Sequence, residues 1–133
     1  IIGDDALWLY HHPPKGCHVY DLAQAWKSLT GMRMVFGVWA TTRRFAAAHP
    51  RTLQDVHARI AGAFHAWARV KEDAIGAVLQ EGRFTRAELA AYLGSAVVWQ
   101  LDAETMAGLR LFYRYAAEDG LIPKVPQLSM APV

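Results

Sequence analysis

A glycine followed by two acidic residues lies close to the start of the chain, at Gly3, Asp4 and Asp5. Glycine permits a tight turn, and aspartate side chains accept hydrogen bonds from the unpaired N–H groups of a helix N-terminus. The same N–H groups, together with the positive end of the helix dipole, attract a carboxylate. The spacing therefore has two interpretations, a helix cap and one wall of an anion-binding site, and the local pattern alone favours the cap.

A short histidine-rich stretch follows and raises the question of a metal site. It contains His11, His12, Cys17 and His18 around two consecutive prolines. The carboxylate or paired-cysteine spacing typical of zinc sites is missing, and adjacent histidines rarely bind one metal. We interpret residues 10–19 as a solvent-exposed loop, and we predict no metal and no cofactor.

The composition limits the classes of function. The 133 residues suffice for one modest core, and 14 basic against 12 acidic residues give a net charge of +2. The scattered basic residues argue against nucleic acid as a partner, and no apolar run reaches the ~20 residues of a membrane helix. Cys17 is the only cysteine, which favours a reducing compartment and predicts a cytoplasmic protein.

Two apolar segments read as strands of a parallel sheet. Ile1 and Ile2 are expected to end a buried strand before the glycine turn, and Asp4 or Asp5 is expected to cap a helix. The continuous apolar run 34–40 predicts a central strand covered on both faces. Trp39 lies at its carboxyl end, where open α/β sheets bind ligands, so it is either a pocket wall or a core residue.

The remaining segments are predicted to be mostly helical. Asp21 is a predicted N-cap, with Gly31 as the stop. Further helices are expected from a cap at Thr52, over Lys71–Glu81, from a capping box at Thr85, and from Asp102 to a stop at Gly120, with a short strand or linker at 97–99 and an extended tail over 121–133. This order predicts an α/β arrangement with too few strands to complete its own sheet. Because an initiator Met is also missing, we expect the back part of a longer protein.

The order of these motifs resembles a known family. Residues 2–7 (Ile-Gly-Asp-Asp-Ala-Leu), 20–22 (Tyr-Asp-Leu) and 35–40 (Val-Phe-Gly-Val-Trp-Ala) are similar to the second half of chorismate dehydratase, from the futalosine route to menaquinone. The segment 111–117 (Leu-Phe-Tyr-Arg-Tyr-Ala-Ala), with Gly-Leu-Ile at 120–122, resembles the closing helix of that family. The resemblance covers nearly the whole chain.

The resemblance implies a two-lobed α/β fold of the type II periplasmic-binding-protein class, with substrate in the cleft between the lobes. This chain would be its helix-rich C-terminal half. Residues 1–33 would end the second lobe, and residues 34–133 would supply the crossover strand and the helices that complete the first lobe. The N-terminal half of the same protein is then the partner that completes the sheets.

The implied activity is a lyase reaction, the dehydration of chorismate to 3-[(1-carboxyvinyl)oxy]benzoate. Substrate-binding residues implied by the resemblance are Gly3, Asp4, Asp5, Ala6 and Trp39, whose surroundings would hold a small dianion. Most catalytic groups, including the proton acceptor, would lie in the N-terminal half, so this chain alone is expected to be inactive. No nucleic acid or membrane partner is implied, and a homodimer stays open.

Two alternatives share the implied fold. One is the 1,4-dihydroxy-6-naphthoate synthase of the same pathway. Proteins of that branch are identified by a His-Glu pair at the comparable turn, where this chain has Gly3-Asp4. The missing histidine favours the dehydratase. The other alternative is a solute-binding protein without catalytic activity.

Overall fold

The computed structural model describes residues 1–132, except for the side chain of Ser95. Its helices are α1 (Asp4–His11), α2 (Leu22–Thr30), α3 (Arg43–Ala48), α4 (Pro50–Leu79), α5 (Arg86–Ala91) and α6 (Ala103–Glu118), with a π-helical turn over Tyr92–Ala96. The chain divides into two compact units. Residues 1–20 and 61–99 form the first unit, and the remaining described residues form the second.

A small apolar core holds the first unit together. Ile75 near the end of α4 is fully buried, and Phe84 and Leu89 are buried against it. Leu7 of α1 packs against the same cluster. Burial of one such aliphatic side chain contributes about 1.5–3 kcal/mol. This core therefore packs α1 against the end of α4 and the beginning of α5.

The second unit is built around α6. Leu109 and Ala116 of this helix are buried, and the indole of Trp26 from α2 lies edge-on to two of its aromatic rings, those of Phe112 and Tyr115, with centroid distances of 5.8 and 5.9 Å. Aromatic edges prefer ring faces in such pairs. The contacts pack α2 against the middle of α6.

The predicted helix caps at three positions are confirmed. The Asp21 carboxylate accepts hydrogen bonds from the N–H groups of Ala23 and Gln24 at 2.8 and 3.1 Å. The Asp102 carboxylate accepts from the N–H of Thr105 at 2.8 Å, and Thr85 forms the capping box with Glu88. Gly31, with φ of 73°, ends α2 as its residue type predicts, and Gly120, at 72°, follows α6.

The prediction for α1 was wrong in two details. Gly3 is the N-cap, and neither Asp4 nor Asp5 caps the helix, because both already lie in its first turn. The helix also continues through His11, inside the predicted loop. Its last turn is supported by His12, whose ring stacks on Trp8 and whose Nδ1 donates to the Trp8 carbonyl oxygen at 3.1 Å.

The helices between residues 43 and 79 also differ from the prediction. α4 begins at Pro50 rather than after Thr52, and it runs unbroken to Leu79 instead of dividing before Lys71. Proline is well suited to the first helical position, and residues 70–72 contain no glycine or proline that would break the helix. The short helix α3 was not predicted. It is capped by Thr42, whose hydroxyl accepts from the N–H of Phe45 at 3.1 Å.

Residues 1–3, 34–40 and 97–99 do not form β-strands in this structure. Among residues 1–132 no β-strand is present to accept their backbone hydrogen bonds, and the side chain of Ile2 is 92% exposed. The prediction that residues 1–3 and 34–40 form buried strands is therefore not met in the described chain. The two-lobed α/β fold stays a prediction. Residues 121–132 contain no helix, and Val133 of the predicted tail lies outside the described residues.

None of the helices in the described part of the chain has the length and apolar character required to cross a membrane.

The backbone of Arg33 lies so close to Gly108 that a larger residue at position 108 is expected to destabilise the protein. A Cβ on Gly108 would lie 2.5 Å from the carbonyl oxygen of Arg33, so Gly108→Ala forces α6 away from this segment. We expect a loss of about 1–3 kcal/mol in the free energy of unfolding, measured by urea denaturation.

The matched control is Gly62→Ala in α4, where a Cβ meets no atom within 4 Å. An alanine in an exposed helix interior is expected to raise the free energy of unfolding by about 0.5–1 kcal/mol. Equal effects of the two substitutions would contradict the close packing at Gly108.

Candidate functional site

The turn at Gly3 is the centre of the candidate site, and its backbone needs a glycine. Gly3 has φ of 75° and ψ of −157°, a conformation that side-chain-bearing residues rarely adopt. Its carbonyl oxygen accepts the first helical hydrogen bond, from the N–H of Leu7 at 3.1 Å. The sequence-based prediction of a glycine turn opening a helix is therefore confirmed.

The first turn of α1 has no side-chain cap. The N–H groups of Asp4, Asp5 and Ala6 precede the first intrahelical donor, Leu7, and have no carbonyl partner within the helix. In addition, the helix dipole places a partial positive charge at this end. The backbone here has the features that suit an anion, and the second interpretation of the Gly-Asp-Asp pattern stays a prediction.

The carboxylate of Asp5 is paired with a distant guanidinium. Arg83, in the turn between α4 and α5, forms a hydrogen-bonded ion pair with the Asp5 carboxylate. Arg83 was not predicted as a site residue, because the segment around Gly82 is fully explained as the end of one helix and the start of the next. No local pattern marks a contact between residues 78 positions apart.

A second polar cluster joins the other end of α1 to α5. One oxygen of Glu88, Oε2, accepts from the backbone N–H and the hydroxyl of Thr85 at 2.7 and 2.9 Å. Its other oxygen lies 3.9 Å from His11 Nδ1 and 3.9 Å from His12 Nε2. The hydrogen bonds from Thr85, and more weakly the nearby imidazoles, hold the pKa of Glu88 below its ordinary value.

The histidine-rich stretch therefore contributes to this cluster through two of its members. His11 and His12 lie at the end of α1, whereas Cys17 is exposed in the loop that follows. Across the described residues, no group of three or more His, Cys, Asp and Glu side chains could hold a metal ion.

Trp39, the other predicted site residue, belongs to the second unit. Its side chain is 79% exposed, and Phe36 in the same segment is also largely exposed. It is therefore not a core residue among the described residues, and its assignment as a pocket wall stays a prediction. Within its own unit, the segment around Gly37 lines a shallow apolar groove against Leu109 and Phe112 of α6.

Comparison with known proteins places the chain in a family. The sequence model of the family described as menaquinone biosynthesis matches residues 1–118. The chain belongs to this family, and its role lies in menaquinone biosynthesis. No solved structure matches the chain.

The capping box predicts a pH-dependent contribution to stability. Because the folded-state pKa of Glu88 lies below the ordinary value of 4.5, its ionised form stabilises the protein above that pH. The contribution is lost as the pH falls through the folded-state pKa. We expect Glu88→Gln to lower the melting temperature near neutral pH, with a difference from wild type that shrinks as the pH falls below 4.5 and through the folded-state pKa.

Thermal melting of both proteins across this pH range is the measurement. Glu72→Gln controls for the change in net charge, since Glu72 pairs with Arg86 outside the capping box. A difference between Glu88→Gln and wild type that stays constant as the pH falls from neutral to the acid-unfolding range would contradict the assignment.

Proposed function

We propose that the protein carrying this sequence is a chorismate dehydratase, a lyase that converts chorismate to 3-[(1-carboxyvinyl)oxy]benzoate in menaquinone biosynthesis by the futalosine route. Membership of the menaquinone biosynthesis family supports the pathway. The observation that carries the proposal is the uncapped first turn of α1, opened by Gly3 at φ of 75°, which suits a carboxylate ligand.

The proposed reaction makes limited demands on the protein. Loss of water from chorismate requires one ring proton to leave and one ring C–O bond to break, and the product gains an aromatic ring. The enzyme therefore mainly orients a dianion and handles one proton. The N–H groups of Asp4, Asp5 and Ala6 are proposed to hold a substrate carboxylate, and Trp39 is proposed to form part of the pocket wall.

The two aspartates are not proposed as the base. A bare carboxylate close to a dianion repels it, and its own charge is then unfavourable. Asp5 is paired with Arg83, which offsets this repulsion. The proton acceptor is proposed to lie in an N-terminal half of the protein, which also supplies the remaining strands of a two-lobed sheet.

That arrangement gives a reason for the exposed apolar segment 34–40. Phe36 and Trp39 are largely exposed, and the segment is not paired in a sheet within the described chain. Exposure of so many apolar side chains is unfavourable, and pairing with strands of an N-terminal half would bury them. We place the complete enzyme in the cytoplasm, consistent with a single unpaired cysteine, Cys17.

The alternative function within the same family is the 1,4-dihydroxy-6-naphthoate synthase activity of the same pathway. Proteins of that branch are identified by a His-Glu pair at the comparable turn, whereas this chain has Gly3 and Asp4 there. The histidines of α1, His11 and His12, lie in its last turn and at its C-cap and face Glu88 instead. A solute-binding protein without catalytic activity is the remaining alternative, and an assay with chorismate separates the dehydratase from both.

The assay is incubation of the complete protein, including the proposed N-terminal half, with chorismate, and the enolpyruvyl benzoate product is followed by chromatography. We expect product from wild type and a fall of at least about tenfold in kcat/KM for Gly3→Val, because valine strains the turn at positive φ. Unchanged chorismate with tight binding of another metabolite would contradict the dehydratase activity.

Gly16→Val is the matched control. Gly16 also has positive φ, at 81°, and also has open space around it, but it lies in the loop after α1. We expect this variant to keep a kcat/KM within about twofold of wild type, because the strain arises outside the site. Equal losses in both variants would show a general effect of backbone strain and remove Gly3 from the site.

A further inference from the structure

Arg83 is the residue outside the proposed substrate-binding turn that bears most directly on it. Its guanidinium reaches the Asp5 carboxylate in the first turn of α1. That turn carries two acidic side chains beside the N–H groups proposed to hold a substrate carboxylate. A counter-charge at this position therefore affects how well the turn accepts an anion.

The backbone of Arg83 is held on both sides. Gly82, with φ of 68°, turns the chain after α4, and Phe84 is buried in the core beside Ile75. The guanidinium also lies 5.7 Å from the centroid of the Phe84 ring, a cation–π contact. The position of the guanidinium is thus built into the packing of the α4–α5 turn.

The pair differs in this respect from the ion pair between Arg86 and Glu72 in the same unit. Arg86 and Glu72 form an ion pair at 2.9 Å on a strongly exposed surface, with side chains 60% and 68% exposed. The Arg83 side chain is 38% exposed and rests against an aromatic ring, and its partner Asp5 is 72% exposed. The difference between the two pairs therefore lies in the guanidinium of Arg83, which packs on a ring, and not in burial of the carboxylate.

We infer that Arg83 is a positioning residue for the proposed dehydratase site, acting through Asp5. It draws the Asp5 carboxylate towards the α4–α5 turn and cancels its charge, so that the first-turn N–H groups can accept a carboxylate of the substrate. This inference rests on the proposed function. The Arg83–Asp5 pair then sets the affinity of the site for an anion and does not affect the rate of the chemical step.

The inference predicts a specific pattern in steady-state kinetics. Arg83→Gln leaves Asp5 with an uncompensated charge beside the substrate, so we expect KM for chorismate to rise about 5-fold with kcat nearly unchanged. Arg83→Lys keeps the charge and is expected to retain most of the affinity. Adding Asp5→Asn to Arg83→Gln removes the repelling charge and is expected to restore KM to within about twofold of Asp5→Asn alone.

The restoration separates this role from a structural one. If Arg83 only stabilised the α4–α5 turn, removal of the Asp5 carboxylate would not repair the loss, and Lys would not replace Arg. Arg86→Gln is the matched control, because it removes a neighbouring guanidinium whose partner, Glu72, lies outside the turn. An unchanged KM in Arg83→Gln, or no restoration in the double variant, overturns the inference.

A second measurement keeps the inference testable if wild type does not turn over chorismate, a result that would reject the proposed function alone. Benzoate serves as a simple carboxylate probe, and its binding is followed by the NMR shifts of the Asp4, Asp5 and Ala6 amides. We expect saturable shifts in wild type, an affinity about 5-fold weaker in Arg83→Gln, and recovery in the double variant. No shifts at these amides in wild type, or equal affinities in all variants, overturns the inference.

Discussion

The burial of Ile75 is the constraint on which the candidate site depends. Its side chain is fully buried against Phe84 and Leu89, and Leu7 of α1 packs on the same cluster. The core thereby holds α1 against the α4–α5 turn and the start of α5. The two polar contacts of α1, one at each end, form only because this apolar contact sets the distance between the helices. A loosened core would separate both sets of charges at once.

The two ends of α1 carry different electrostatic arrangements. At the N-terminus, free N–H groups and a partial positive charge suit an anion, and Arg83 compensates the aspartate that would otherwise oppose it. At the C-terminus, His11 and His12 face the Glu88 carboxylate, which is already held in the capping box of α5. The first arrangement is open to a ligand, whereas the second joins two helices.

The sequence predicted those features that depend on neighbouring residues. The caps at Asp21, Thr85 and Asp102 and the turn at Gly3 are local, because each needs only a side chain or a backbone angle within three or four positions. The continuous length of α4 was harder to predict, since a periodic helix pattern does not show whether two helical segments join. The ion pair of Arg83 could not be predicted, because it arises from packing between segments far apart in sequence. For the same reason, exposure of the apolar run 34–40 could not be read from its composition, since burial depends on which strands lie beside it.

The proposed dehydratase activity depends most on the first turn of α1, which is proposed to hold a carboxylate of the substrate. The most direct measurement is a crystal structure of the protein with 3-[(1-carboxyvinyl)oxy]benzoate bound. We expect a carboxylate oxygen of this ligand within about 3 Å of a backbone nitrogen among Asp4, Asp5 and Ala6, with the Asp5 carboxylate still paired to Arg83. A bound ligand whose two carboxylates both contact other groups, with the turn at Gly3 empty, would contradict it.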